Sequence, residues 1–198
     1  MRLAGVHAIR YGDVLVEGRR WPCSVHVVEH PQGRVLVDTG LIDSTPELDE
    51  EWSPAFDPDA IPRDVMCVIN THLHFDHCGG NRLFPGKPIY VQRLEREVAR
   101  AEGYTIGEWV EFEGATYVEL EGEQEVLPGL RVLPTPGHTP GHQSVLVETD
   151  DGLVVVGGDV AYTWREFDAP ANDAAVALTR LSPIRIWLAH EGAPRDAS

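Results

Sequence analysis

The stretch Asn70-Thr71-His72-Leu73-His74-Phe75-Asp76-His77 decides how the rest of the chain is read. Three of the nine histidines, with one aspartate, fall between positions 72 and 77. His72, His74 and Asp76 alternate with Leu73 and Phe75. In an extended loop leaving a strand, that period of two turns the polar set one way and the apolar pair back into the core. His77 breaks the period and points elsewhere. One tetrahedral ion does not easily take four ligands from so short a run, so the segment suits two adjacent cations. Imidazole with carboxylate favours borderline-soft zinc or iron(II), whereas calcium or magnesium calls for mostly oxygen ligands. The expected cofactor is therefore a pair of divalent metal ions, zinc first, with iron, manganese or cobalt as alternatives.

Working outward, Val65-Met66-Cys67-Val68-Ile69 is a continuous apolar run, as expected of a strand covered on both faces, and it leads straight into the histidine segment. Upstream, Cys23–Glu29 and Arg34–Asp38 read as strands separated by the Pro31-Gln32-Gly33 turn signal. Leu41–Asp64 is acidic and proline-rich, and reads as loops with short helical pieces. Downstream, Asn81–Phe84 reads as a helical turn and Pro88–Val91 as a strand. Gln92–Glu102 reads as a helix whose apolar Leu94, Val98 and Ala101 recur at helical spacing. Leu130–Leu133, Ser144–Glu148, Leu153–Val156 and Ile184–Leu188 are further strands, the middle two paired through Thr149-Asp150-Asp151-Gly152. Asn172–Leu181 reads as a helix capped by Asn172. Strands and helices in each half predict an α/β fold of layered sheets covered by helices, one domain over residues 1–198.

Each later donor follows one of these strands: His138 after Leu133 through a Pro-Thr-Pro-Gly turn, Asp159 after Leu153–Gly158, and His190 after Ile184–Ala189. Ligands at several strand ends converge on one sheet edge, where rigid elements aim them and loops admit substrate. Asp38 also ends a strand and is expected to accept a hydrogen bond from a ligand imidazole. His142 is read as packing its loop rather than as a further ligand, and Cys78 as a small packed thiol. His7, His26 and His30 have no partner motif. Trp109, Phe112, Trp164 and Phe167 are read as core or partly buried surface rather than pocket lining.

Composition narrows the partners. With 16 Lys+Arg against 32 Asp+Glu the formal charge is -16, a surface that repels phosphate backbones, so no nucleic acid partner is expected. The glutamate-rich Glu108–Glu125 contains no basic residue and reads as a solvated face. A hydrophobic content of 42% supports a sizeable core. No apolar run reaches the roughly 18 residues of a membrane span, and the first residues meet charge too soon for a signal peptide. Cys23, Cys67 and Cys78 make no closed disulfide framework. The expectation is a soluble cytoplasmic protein, off the membrane, monomer or homodimer, with a small-molecule substrate.

The donor set resembles the metallo-beta-lactamase fold superfamily of binuclear hydrolases. That family's His-x-His-x-Asp-His element is matched by His72, His74, Asp76 and His77, and its later histidine, aspartate and final histidine by His138, Asp159 and His190. The resemblance implies a four-layer αβ/βα sandwich with the site at one edge of the sheets. It also implies that His72, His74 and His138 hold the first metal, that Asp76, His77 and His190 hold the second, and that Asp159 bridges them.

Within the superfamily the chain is similar to the quorum-quenching N-acyl homoserine lactonases through Thr71–Asn81, Val126–Ser144 and Gly158–Tyr162, with weaker support from Pro88–Gln92. That likeness implies opening of an N-acyl homoserine lactone, or a related small lactone or ester, by a metal-bridging hydroxide. Tyr162 matches the lactonase tyrosine that hydrogen-bonds the substrate oxygen, and Asp76 would carry a proton to the leaving alkoxide. The stretch between Asp38 and His72 is shorter than in those lactonases, where it helps shape the acyl-chain channel and the dimer contact.

Other classes stand against this reading. The same ligands serve hydrolysis of a thioester, a sulfate or phosphate ester, or a beta-lactam. However, Asp159 stands where many true beta-lactamases of the fold use cysteine, and no Lys-rich segment resembles the glutathione-binding tail of glyoxalase II. A non-hydrolytic di-iron redox protein would carry glutamate where this chain has His74. A metal-stabilised binding protein would not require so complete a donor set.

Overall fold

In the computed structural model, which describes residues 5–170 and 173–196, strands buried on both faces build two sheets around a shared core. The first sheet holds β1 (Gly5–Val16), β2 (Arg19–His30), β3 (Gly33–Val37), β4 (Ala55–Phe56), β5 (Cys67–Ile69), β6 (Pro88–Gln92) and β7 (Thr116–Leu120), in the order β4-β1-β2-β3-β5-β6-β7. The second holds β8 (Gln124–Leu127), β9 (Leu130–Pro134), β10 (Gln143–Thr149), β11 (Gly152–Val156), β12 (Arg185–Trp187) and β13 (Arg195–Asp196), in the order β13-β12-β11-β10-β9-β8. Val35 and Val37 of β3 face Val145, Val147, Val154 and Val156 of β10 and β11 across the inter-sheet core. The residues between them, Leu36 on one sheet and Leu146 and Val155 on the other, point outward into two further apolar clusters. With both faces apolar, neither sheet can leave one in water, and each needs a second cover.

Helices supply those covers. α1 (Pro46–Glu51), α2 (Phe75–Cys78), α3 (Arg93–Val98) and α4 (Gly107–Val110) lie along the segments that cross the first sheet's outer side, where Leu48 and Trp109 join the cluster around Leu36. α5 (Trp164–Asp168) and α6 (Asp173–Arg180) bring Phe167, Ala174, Ala175 and Leu178 against Leu146 and Val155. The result is the four-layer αβ/βα sandwich that the resemblance implied. Among the described residues no helix is long and apolar enough to cross a membrane.

Two local expectations change. The helix read over Gln92–Glu102 is only Arg93–Val98, and it is rotated: Leu94 is 47% exposed whereas Glu95 is 0% exposed. The glutamate-rich run keeps its acidic side chains in solvent but contains β7, part of β8, and α4 with buried Trp109 and Val110. Asn172, read as the cap of α6, lies outside the described residues.

Candidate metal centre

β3 pairs in parallel with β5, and β11 with β12, so each pair delivers its following loops to one edge of its sheet. The loops after all four strands meet there. Asp38, past β3, takes a positive φ of 60° that swings its carboxylate off the strand. One oxygen accepts the Thr71 backbone N–H at 2.7 Å, and the other accepts the Thr71 hydroxyl at 2.8 Å and His77 Nδ1 at 2.8 Å. Gly158 allows the corresponding turn past β11: its φ is 59°, and a Cβ there would lie 2.8 Å from Thr71 and 2.9 Å from His142.

The histidine segment does not alternate to its end. It is extended through His74, which caps α2, and then turns helical, placing Asp76 and His77 on a single turn. Leu73 is fully buried as expected, but Phe75 is only half-buried and packs its ring 5.4 Å from Trp52.

Hydrogen bonds on the outer side of the His72, His77 and His190 rings fix which nitrogen faces inward. The single proton of the Thr71 hydroxyl goes to Asp38, so its oxygen accepts from His72 Nδ1 at 3.1 Å and leaves the Nε2 lone pair free. The Pro22 carbonyl, an acceptor only, takes His190 Nδ1–H at 2.9 Å. That leaves His190 Nε2 facing Asp159 Oδ2 at 3.2 Å and Asp76 Oδ2 at 3.5 Å. Cys23 Sγ is also near Asp76 and His190, but it lies 3.7 Å from Nδ1, on the protonated side of the ring. His142 uses both nitrogens, Nδ1 donating to the Thr135 carbonyl at 3.1 Å and Nε2 accepting the Asp159 backbone N–H at 3.1 Å. It therefore aims the Asp159 loop and offers no lone pair to a cation.

Two donor groups result. In the first, His72 Nε2, His74 Nδ1 and His138 Nε2 form a triangle with edges of 3.1, 3.1 and 3.0 Å. A tetrahedral ion with metal–nitrogen bonds near 2.0–2.1 Å spans an edge of about 3.3 Å, close to that triangle. The second gathers Asp76, His77 and His190, with His77 Nε2 3.8 Å from Asp76 Oδ2. Asp159 lies between them: Oδ1 is 3.3 Å from His77 Nε2, and Oδ2 is 3.6 Å from His138 Nε2 and 4.0 Å from His72 Nε2.

Burial and charge divide the groups further. Desolvation holds His72 well below the usual imidazole range, lowers His74, and pushes His138 down to about 4, so this triad presents neutral lone pairs. Burial also lowers His77 and His190, but the adjacent Asp159 carboxylate, joined at His77 by Asp76 and Asp38, raises both well above that range. Burial would raise Asp159, yet His190 and His77 hold its carboxyl well below the ordinary value. His77 Nε2 and Asp159 Oδ1 are buried without any hydrogen-bond partner. Buried polar atoms left without a hydrogen-bond partner are costly, and a cation between them removes the cost. The donors thus fit two divalent metal ions.

A cavity of about 660 Å³ opens onto both groups. Its apolar wall comes from Val14, Trp21, Leu48, Trp52, Phe75 and Ile106. The segment between Asp38 and His72, though short, supplies Leu48 and Trp52 to it. Trp109, Phe112, Trp164 and Phe167 do not line it. Tyr162, 40% exposed, sets its hydroxyl 3.1 Å from His138 Nδ1, and burial with the nearby Asp159 charge pushes that phenol up to about 12. Sequence reasoning missed Tyr11, whose hydroxyl donates to the Asp76 carbonyl at 2.7 Å. It also missed Glu95 and Tyr104, which support His74 and its loop. Both lie in stretches whose letters read as ordinary helix and loop.

The profile of the metallo-beta-lactamase superfamily matches residues 18–190. The chain is 36% identical over 189 residues to the N-acyl homoserine lactonase of Bacillus cereus, covering 83% of this chain and 75% of that protein. It is 29% identical over 193 residues to N-acyl homoserine lactonase AttM of Agrobacterium fabrum, covering 80% and 72%. Among solved structures, an N-acyl homoserine lactone hydrolase with N-hexanoyl-L-homoserine bound at its catalytic metal centre superposes with a TM-score of 0.82 at 28% identity, covering 96% of this chain and 94% of that one.

Proposed function

The chain belongs to the metallo-beta-lactamase superfamily, and from that premise we propose that it is a binuclear metal-dependent hydrolase that opens an N-acyl homoserine lactone or a related small lactone. The observation that carries the reading is Asp159, set between two donor groups with Oδ1 and the facing His77 Nε2 both orphaned. His72, His74 and His138 would hold one ion, Asp76, His77 and His190 the other, and Asp159 both. When bound, such a pair supplies Lewis acidity at a carbonyl and acidifies a shared water to a nucleophile near neutral pH.

The remaining work falls to the chain's own groups. The apolar wall takes an acyl arm and leaves the polar ring at the His138–Asp159–His190 end of the cavity. Tyr162 keeps its proton through the working pH range, so it donates to the substrate oxygen on which charge develops. His138 Nδ1 holds that hydroxyl in place. Asp76 lines the cavity with Oδ2 facing His77 and His190, positioned to pass a proton to the departing alkoxide. Same-domain action over residues 1–198, in the cytoplasm, as monomer or homodimer and without nucleic acid, completes the reading, with the charge of -16 supporting the last point.

The test is a panel of acyl homoserine lactones, γ- and δ-lactones and aryl esters, assayed with metal-loaded protein, chelator-treated protein and Asp159→Ala. Lactone opening that vanishes on chelation and in the variant is expected. No metal-dependent turnover of any lactone would sink the proposal.

A further inference from the structure

Helix α3 turns a carboxylate inward where its sequence offers a leucine. Leu94 stands 47% exposed while Glu95, one residue on, is 0% exposed. A carboxylate so placed is costly unless every oxygen is bonded, and Glu95 is bonded three ways. Oε1 accepts the Leu73 backbone N–H at 2.9 Å and the Tyr104 hydroxyl, and Oε2 accepts the Thr139 hydroxyl at 2.7 Å. Leu73 lies between His72 and His74, and Thr139 adjoins His138. Tyr104 packs its ring against that of His74, with centroids 4.9 Å apart. The loop bearing His138 is also seated directly on Glu95, since a Cβ on Gly141 would come within 2.2 Å of the Glu95 backbone nitrogen.

We propose that Glu95 is a positioning residue that clamps the two loops of the first donor group together and so sets the spacing of His72, His74 and His138. The inference rests on the two-ion reading above. Glu95 makes no hydrogen bond or ion pair with Asp76, His77 or His190, so its influence falls on the first group. A residue needed only for general packing would disturb both groups alike.

Cobalt(II) titration against a competing chelator separates these roles. In a His190→Ala background the first group is left intact, and Glu95→Ala is expected to weaken its cobalt affinity by about 10- to 100-fold, the usual effect of removing a group that orients metal ligands. Glu95→Gln retains an acceptor for the Leu73 N–H and can exchange hydrogen bonds with both hydroxyls, so it restores most of that loss. In a His138→Ala background, which leaves the second group, Glu95→Ala is expected to change nothing. Equal weakening in both backgrounds, or none in the first, overturns the clamp. Should Glu95→Ala fail to fold, Thr139→Val decides: weakened first-group affinity supports the clamp and unchanged affinity overturns it. Wild-type protein that takes up no cobalt overturns the two-ion reading and the clamp with it, whereas two-ion uptake insensitive to Glu95 and Thr139 overturns the clamp alone.

Discussion

Replacing Asp38 with asparagine changes one oxygen to an NH2 group and leaves the backbone at ease, because asparagine tolerates the left-handed φ of 60° found there. Its consequences follow from a donor count. The carboxylate accepts from three groups, Thr71 N–H, Thr71 Oγ1 and His77 Nδ1, at 2.7, 2.8 and 2.8 Å. An amide turned to accept the Thr71 N–H presents its own N–H to His77 Nδ1. That contact is tolerable only if the imidazole proton moves to Nε2, the nitrogen the second ion requires. The opposite rotamer sets the amide N–H against the Thr71 N–H instead. Either way one buried donor faces another and a charge-assisted bond is lost, which costs about 2 kcal/mol. At 1.4 kcal/mol per decade this is roughly a 30-fold loss of affinity at the second site, within the range seen for groups that orient ligand histidines. The first triad is reached only indirectly, through Thr71 Oγ1 to His72, and should weaken less. Competitive zinc titration with metal analysis after dialysis measures both. The expected result is a fall from two ions towards one. Asp38→Asn protein that keeps both ions with wild-type affinities would refute the tautomer argument.

Other perturbations test neighbouring links. Tyr162→Phe removes the hydroxyl proposed to donate to the substrate oxygen and should lower kcat on lactone by about 10- to 100-fold, less than a fully enclosed oxyanion donor because the ring is part-exposed; unchanged kcat at unchanged metal content would make the tyrosine a packing residue. Gly141→Ala drives a methyl group against the α3 backbone and should destabilise the fold by about 1–3 kcal/mol in urea unfolding; no loss would mean that the loop is not seated there. His26 is buried beside Trp187, its Nε2 has no partner, and burial lowers its pKa to about 3. Because the unfolded chain binds a proton near pH 6.5 that the native state refuses, stability is full above that pH and falls as the solution is acidified, by about 2 kcal/mol at pH 5. His26→Leu should flatten that part of the acid limb of the stability profile, and an unchanged limb would refute the assignment.

The letters alone determined a good deal. The density of donors at His72–His77 and the placing of His138, Asp159 and His190 after apolar runs identify a metal chemistry and an edge-of-sheet site, because strand periodicity and ligand type are local properties. Asp38 could be suspected for the same reason, since it ends a strand. Other matters waited on the tertiary structure. Glu95 bonds to Leu73 and Thr139, which lie 22 and 44 residues away, and no local pattern encodes such a meeting. Nor could α3 be oriented from its letters. In a helix of 6 residues each position turns by about 100°, so two or three apolar side chains do not establish which face is buried. Here the metal loops needed an acceptor more than the core needed another leucine. The same holds for His72, His77 and His190. Their identities announced two cations, but which nitrogen of each ring faces inward was decided by Thr71, Asp38 and Pro22, hydrogen-bond partners that only folding brings together.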